Sequence, residues 1–409
     1  MKTPKRVLIL VENLPSPFDR RVWQEATTLR DAGYKVSIIC PTGRGYERRF
    51  ELIGSIHIYR YKLPIEAEGA LGYAAEYATA LFWSFMLAWR VFLTRGFDVI
   101  HACNPPDLFF LIGGFFKLFG KKFVFDHHDI NPELYEAKFG RRDFFYRLML
   151  RLERWTFRTA DVSIATNDSY RRIAIERGGM DSERVFVVRS GPSLERMKIE
   201  PADERLKCGR RYLVGYVGVM GRQEGIDYLL QAIQHIVFEL KRTDIHFGLV
   251  GGGTSLQEMK ELAIQLNIAQ FITFTGRVPD DRLLAMLNTA DLCVNPDIAN
   301  AMNDKSTMNK IMEYMALAKP IVQFDLAEGR VSAQNASLYA KRNDSIDLAC
   351  KIVGLLDDPP LRQRMGDSGR QRVLSELAWE HEIPKLLAAY RALWQEQEKE
   401  AQVGRFTVP

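Results

Sequence analysis

The chain has 409 residues, too many for one ordinary hydrophobic core, and 47% of them are hydrophobic and 26% charged. Two globular domains are therefore expected, and disordered, low-complexity and short-repeat architectures are excluded. The net charge of +5 divides into roughly +7 over residues 1–194 and roughly −2 over the rest, which puts anionic partners on the first half. Nucleic acid is not expected among them, because no helix-turn-helix, zinc finger or RNA-binding aromatic motif is present. The five cysteines (Cys40, Cys103, Cys208, Cys293 and Cys350) are scattered, with no CxxC pair. That pattern speaks against a disulfide framework or structural zinc and fits a reducing, cytoplasmic setting. Residues Met1 to Arg6 run directly into a strand pattern with no apolar signal region.

Short β-rich apolar runs alternate with longer helical stretches, the pattern of parallel βα units. In the first half the strand candidates are Arg6–Val11, Lys35–Cys40, Asp98–His101, Phe123–Asp126, Val162–Ala165 and Val185–Arg189. After the first strand, Pro15 and Pro17 end the extended run, and Asp19 is placed to cap a helix starting near Arg20. Free N–H groups, Arg20 and Arg21 would then meet a phosphate or sugar hydroxyl. Plain capping with surface arginines is the alternative.

The stretch Leu71 to Thr94 has the composition of a membrane span, but Glu76 and Arg90 bracket an apolar run shorter than a span needs. A buried or interfacial helix is expected there. His101, with Asn104 and Asp107, falls at the end of the third strand candidate. The fourth leads into Asp126-His127-His128-Asp129. Imidazoles beside carboxylates are ordinary metal ligands, yet neighbouring side chains in an extended segment point to opposite sides. A polar contact of this loop to substrate is the expectation, with a structural role or a metal site as the alternatives. From Arg141 to Trp155 arginines interleave with aromatics at helical spacing, which suits either a core helix with a basic edge or a membrane-surface helix.

Pro192 to Arg211 is polar and aperiodic, the expected linker. The βα theme then resumes at Tyr212–Val217, His246–Val250, Phe271–Thr275, Asp291–Asn295 and Pro320–Phe324. Glycine turns follow three successive strand candidates: Gly218, Gly221 and Gly225 with Arg222; Gly251 to Gly253; and Gly276 with Arg277 and Val278. Backbone N–H groups in such turns can approach a diphosphate, and three on one strand-end platform are a stronger signal than one. Asn303 or Asp304 is placed to cap a helix whose apolar face is Met308, Ile311, Met312 and Met315. Lys310 and Glu313 share a face of that helix. A mutual salt bridge is one reading; a phosphate contact and a carboxylate for both ribose hydroxyls is the other.

Together these residues resemble the retaining GT-B glycosyltransferases of family 4, most closely the branch that builds bacterial surface polysaccharides. The resemblance rests on Phe18 to Val22, Asp126 to Asp129, Gly218 to Gly225, Phe274-Thr275-Gly276, Lys310 to Pro320, Leu356 to Pro359, and Trp379. It implies an α/β architecture of two Rossmann-like, doubly wound domains facing across a cleft, with a C-terminal helix crossing back to the N-terminal domain. The expected spans are 1–200 for acceptor binding, 201–378 for the sugar nucleotide, and 379–409 for the returning helix.

The resemblance also implies residue roles. His128 and Asp129 belong to the catalytic face, and Asp19, Arg20, Arg21 and His101 to the acceptor side. The donor is expected on Gly218, Gly221, Arg222, Gly251, Gly253, Arg277, Val278, Lys310 and Glu313, with its sugar near Asp304, Lys305 and Ser306. No cofactor or metal is implied: a nucleoside diphosphate sugar is the donor substrate. A polyprenyl-diphosphate-linked or glycan acceptor and peripheral attachment to the inner face of the membrane complete the expectation. The sequence departs from the family pattern at three places. Lys305 replaces the first glutamate of the E-x7-E motif, Val219 and Glu224 stand where an arginine and a lysine are usual, and Ser190-Gly191 replaces Asn-Gly.

Overall fold

A computed structural model of the chain describes residues 4–63 and 69–394; the last part of the expected returning segment, 395–409, lies outside the described residues. The chain divides into two compact units, residues 1–190 with 382–409, and residues 191–381. The sequence reading put those divisions at 200 and 378.

The first unit begins β1 (Arg6–Leu10), α1 (Arg20–Asp31), β2 (Lys35–Pro41), β3 (Phe50–Ile53), β4 (Ile56–Tyr61) and α2 (Gly69–Thr94). It continues β5 (Val99–Cys103), α3 (Phe110–Lys117), β6 (Lys122–His127), α4 (Asn131–Phe139), α5 (Phe144–Thr159), β7 (Val162–Ala165), α6 (Asp168–Arg172) and β8 (Val185–Val187). Its sheet has the order β3-β4-β2-β1-β5-β6-β7-β8 among the described residues. All neighbours run parallel except β3 and β4. The central strands are buried on both faces, which is why Arg6–Leu10 reads as a continuous apolar run. In α1 the buried Val22, Ala26 and Leu29 recur every three or four residues and lay one face on the sheet.

The hairpin β3–β4 was not among the expected strands. Its two-residue turn, Gly54-Ser55, holds both residues at positive φ (52° and 71°), the primed geometry that matches strand twist. The helix expected over 71–94 is α2. It buries Ala80, Ala88 and Val91 and exposes Phe82, Trp83, Met86 and Leu93. Among the described residues, no helix is long and apolar enough to cross a membrane.

The second unit runs β9 (Tyr212–Val217), α7 (Ile226–Phe238), β10 (Ile245–Val250), α8 (Leu256–Gln265), β11 (Ile272–Gly276), α9 (Asp280–Thr289), β12 (Leu292–Asn295) and α10 (Asn309–Ala316). Then follow β13 (Ile321–Phe324), α11 (Ala327–Ala333), β14 (Ser337–Ala340), α12 (Ser345–Leu356), α13 (Pro359–Arg372) and α14 (Trp379–Ala392). Its parallel sheet has the order β11-β10-β9-β12-β13-β14. The short edge strand β14 escaped the sequence reading. From Glu382 onward α14 belongs to the first unit. Its Glu382 carboxylate accepts from the Arg189 N–H at 2.9 Å.

In each sheet the strand order reverses beside the first strand, at β1/β5 and at β9/β12. Loops at the carboxyl ends of such strands diverge and leave space for ligands. Both clusters described next lie there.

Candidate functional site

In the first unit α1 starts as expected, with the Asp19 carboxylate accepting the Val22 N–H at 3.1 Å. Arg20 is exposed, but Arg21 is not. Its guanidinium turns inward to Asp126 Oδ1 at 2.8 Å and Glu25 Oε1 at 3.1 Å. It also donates to the Val188 carbonyl and the Ser190 hydroxyl at 2.9 and 3.2 Å. Asp126, at the end of β6, meets His128 Nε2 at 2.5 Å and His101 Nε2 at 3.3 Å. His101 Nδ1 in turn lies 2.8 Å from the Tyr390 hydroxyl on α14.

This geometry corrects two expectations. Arg21 and His101 do not present themselves to an acceptor, because both are sealed among buried partners. They act on His128, which keeps 15% of its side chain exposed. The neighbouring histidine, His127, points to the other side as extended backbone requires, and packs among Phe125, Phe157 and Tyr170. Burial drives its pKa down to about 3, so it is a neutral core residue.

The protons of the cluster are set by competing terms. Burial opposes ionisation of Asp126, but Arg21 and His128 outweigh it and hold the carboxyl well below the usual range. Glu25 is pushed well up by burial and by the Asp126 charge, against the pull of Arg21. Ionisation is therefore favoured at Asp126 and opposed at Glu25. Donor atoms of Glu25, His101, Cys103 and Asp126 lie within 4.8 Å of one another, close enough for a metal. The Arg21 guanidinium already sits on two of them, so the set has its cation built in. Asn104 completes the arrangement. Its Oδ1 accepts the N–H groups of His128 and Asp129 at 2.6 and 3.1 Å, which fixes the backbone of that turn. Burial raises the pKa of the half-buried Asp129.

Glu12, just past β1, carries no signal in the sequence that marks it out. It is buried, its Oε1 has no hydrogen-bond partner, and burial together with Glu76 lifts its pKa to about 8.

In the second unit the glycines do something the sequence reading did not anticipate. Gly251 has φ of +132°, and a Cβ there would stand 1.9 Å from the Gly218 carbonyl oxygen. At Gly225, with φ of +63°, a Cβ would meet the Pro296 carbonyl at 2.0 Å. Any side chain is excluded because the turns pack backbone on backbone: the Gly218 N–H donates to Val250 O and the Met220 N–H to Gly252 O, at 3.1 and 2.9 Å. Gly221 and Gly253 lie in the same interlocked turns. Arg222 and Arg277 are exposed at their edge, and Val278 packs against the buried cluster around Leu284 and Ile311.

Helix α10 begins at Asn309 with Met308 as its N-cap, not at Asn303 or Asp304. The reason is that both side chains are engaged elsewhere. Asn303 donates to the carbonyls of Gln223 and Ile298, each at 2.9 Å. Asp304 accepts from the Ala327 N–H and from Arg342, also at 2.9 Å. Ser306 Oγ returns to the Met302 carbonyl at 2.8 Å, and Lys305 lies half-buried in the same turn. Ile311, Met312 and Met315 form the buried face as expected. The Tyr314 hydroxyl accepts the Val217 N–H at 2.8 Å, pinning α10 to the end of β9.

Lys310 and Glu313 share a face but not a salt bridge. Lys310 Nζ contacts Glu224 Oε2 at 2.7 Å and Asp297 Oδ1 at 2.8 Å. Glu313 Oε1 accepts from Arg196 at 2.7 Å, and Arg196 also grips Asp280 at 2.6 Å. Burial raises Asp297 to about 7 even with Lys310 pulling it down. Sequence reasoning missed Asp297 and Arg196. A strand-end search would have found Asp297, two residues past β12. Arg196 carries no local signal, since only folding brings the expected linker against α10.

A protein with two such sheets, each carrying a polar cluster at its strand-order reversal, is of the GT-B class. The family model described as "Glycosyltransferase Family 4" matches residues 19–196, and that described as "Glycosyl transferases group 1" matches residues 211–358. The two between them take in most of the chain, which therefore belongs to the group 1 glycosyltransferases. The chain is 25% identical over 308 residues to a 2-deoxystreptamine glucosyltransferase from Streptomyces kanamyceticus, covering 72% of this chain and 77% of that one. To a D-inositol 3-phosphate glycosyltransferase from Nocardia farcinica it is 26% identical over 262 residues, covering 60% of this chain and 56% of that one. The chain thus spans little more than half the length of that second relative.

Among solved structures, the sucrose-phosphate synthase of Thermosynechococcus elongatus superposes with a TM-score of 0.79 at 18% identity, over 96% of this chain and 100% of that one. Anabaena HepE in complex with UDP-glucose gives 0.72 at 15% identity, over 95% and 99%. These two likenesses concern the fold.

Proposed function

We propose that the chain transfers a sugar from a nucleoside diphosphate sugar to a hydroxyl of a lipid-linked or polysaccharide-precursor acceptor, with retention of configuration, in building cell-surface polysaccharide at the cytoplasmic face of the membrane. The observation that carries the donor half is the Glu313 carboxylate, 15% exposed and oriented by Arg196, one helical turn from Lys310, whose side chain reaches the interlocked glycine turns. Two carboxylate oxygens can accept both hydroxyls of a ribose. Arg222, Arg277 and Lys310 supply positive charge for the diphosphate, and the half-buried turn Asp304-Lys305-Ser306 receives the sugar. The two glycosyltransferases named above support a sugar substrate, and the UDP-glucose bound by HepE supports this donor type.

In the proposed step the bond from the anomeric carbon to the diphosphate oxygen breaks as the acceptor hydroxyl forms its bond on the same face. The acceptor proton passes to the departing diphosphate, whose negative charge the cations stabilise. His128, held by Asp126, and Asp129 orient the reacting groups, with Asp19 and Arg20 on the acceptor side. The scheme calls on no cofactor.

Calorimetric titration with a panel of nucleoside diphosphates and their sugar esters tests the reading. One nucleotide should bind, and Glu313→Ala should weaken it by about tenfold or more, the worth of hydrogen bonds to a charged group. Equal affinity in the variant would remove the ribose assignment.

A further inference from the structure

The first unit carries an apolar surface that its own fold leaves uncovered. Helices α2 and α3 meet through Phe85, Trp89 and Phe115, with ring centroids 5.1 and 5.8 Å apart. Beside that contact an open groove of about 400 Å³ is lined by Leu81, Phe82, Phe85, Leu111, Ile112 and Phe115, almost without polar atoms. Phe82, Trp83, Met86 and Leu93 of α2, and Leu111, Leu118 and Phe119 in and just after α3, all stand exposed, Leu118 at 82%. A soluble monomer rarely leaves so many large apolar groups contiguous.

The groove is continuous with a cationic face. Phe110, next to Leu111, meets Trp155 of α5 at 6.0 Å between ring centroids. On α5, Arg147, Arg151, Arg154 and Arg158 follow one another at spacings of four, three and four, so they occupy one side of the helix. All four are exposed, and none has a carboxylate partner among the described residues. Arg141 and Arg142, by contrast, are engaged by Asp143 and Glu136. Phe144 and Trp155 flank the arginine stripe, and both are exposed. Unpaired guanidinium groups beside an uncovered hydrocarbon groove match the layering of an anionic bilayer, phosphate above acyl chain.

We infer that α2, α3 and α5 form one membrane-docking surface, in which the arginine stripe of α5 engages anionic phospholipid headgroups and the α2–α3 groove takes up a hydrocarbon chain. This rests on the proposed action at a membrane but assigns the surface and its lipid independently of the donor chemistry. The neutral-lipid alternative fails to use the arginines, and a second copy of the chain would face its own like charges there.

The full chain is to be sedimented with vesicles of phosphatidylcholine alone and with a third phosphatidylglycerol. Binding is expected only to the anionic vesicles, with the triple substitution Arg147→Glu, Arg151→Glu, Arg154→Glu weakening it about tenfold or more. Phe82→Ser with Leu111→Ser should also weaken it. Tryptophan fluorescence should be quenched by acyl-brominated lipid, and Trp83→Phe should lose part of that quenching. Equal binding to both vesicle types, undiminished binding of the charge variant, or no quenching would overturn the inference. So would dimerisation of the chain through this face without lipid, read by light scattering and abolished by the Phe82/Leu111 variant. Donor affinity is measured on the same variants. Because those residues belong to the first unit, and the glycine turns and Glu313 to the second, it should be unchanged, which separates a failed docking surface from a failed transferase reading and from misfolding.

Discussion

In the first unit Arg21 is surrounded: two carboxylates, a carbonyl and a hydroxyl use up its donors inside the protein. In the second unit Lys310 and Arg196 are each shared between two carboxylates of which at least one stays accessible, Glu224 for the lysine and Glu313 and Asp280 for the arginine. The same ion-pair chemistry therefore serves two ends. A fully buried pair resists exchange, because separating its members leaves an unpaired charge without water. It holds a geometry, and here what it holds is His128. The second cluster is open to solvent only in part, with Asp280 48% exposed, Arg196 19% and Glu313 15%; on the proposed reading those members exchange a protein partner for the donor. The contrast implies that substitutions in the first cluster act mainly on folding and on the pose of His128, and those in the second mainly on ligand affinity.

Arg21→Ala puts that contrast to its hardest test. It strands Asp126 and should cost about 3–5 kcal/mol, seen as a fall in Tm of roughly 5–15 °C. An unchanged Tm would mean the cluster is not structural. Arg196→Ala should leave Tm nearly unmoved but loosen Glu313, weakening donor binding roughly threefold to tenfold by calorimetry, less than loss of Glu313 itself. If Tm falls as far as in the Arg21 variant, the two clusters are not different in kind.

The third prediction concerns pH. Asp297 has a raised pKa of about 7. As pH falls through that value Asp297 gains a proton and one negative charge leaves the vicinity of Lys310. Affinity for a nucleotide sugar, whose diphosphate diester does not titrate there, should rise by about threefold between pH 8 and pH 6. Asp297→Asn should flatten the curve, and an affinity that falls toward pH 6 would contradict the assignment. The smallest effect is expected of Tyr390→Phe. Losing its contact to His101 should cost about 1 kcal/mol of stability and lower turnover only modestly; a loss of turnover as large as that of His128→Ala would promote the tyrosine from support to chemistry.

Much of the molecule was legible before folding. The parallel βα alternation, the Asp19 cap, the buried face of α10 and the opposite orientations of His127 and His128 all follow from local patterns of period two or 3.6. These depend on neighbours along the chain. The hairpin β3–β4 was equally local, but its Gly54-Ser55 signal was passed over, and β14 is too short to carry a period.

What the sequence could not decide is who partners whom. Lys310 and Glu313, three residues apart, invite a salt bridge, yet Glu224, Asp297 and Arg196 claim them from distant parts of the chain. Arg21 looks like a surface cation beside a cap until Asp126, Glu25 and Val188 close around it. Even the glycines changed meaning, since the carbonyls that exclude a Cβ at Gly251 and Gly225 belong to other loops. Hydrophobic periodicity is a property of one segment, so sequence alone determined the elements and their order. Ion pairing and close backbone packing are settled by distances of a few ångströms between segments remote in sequence, and only the tertiary structure brings those together.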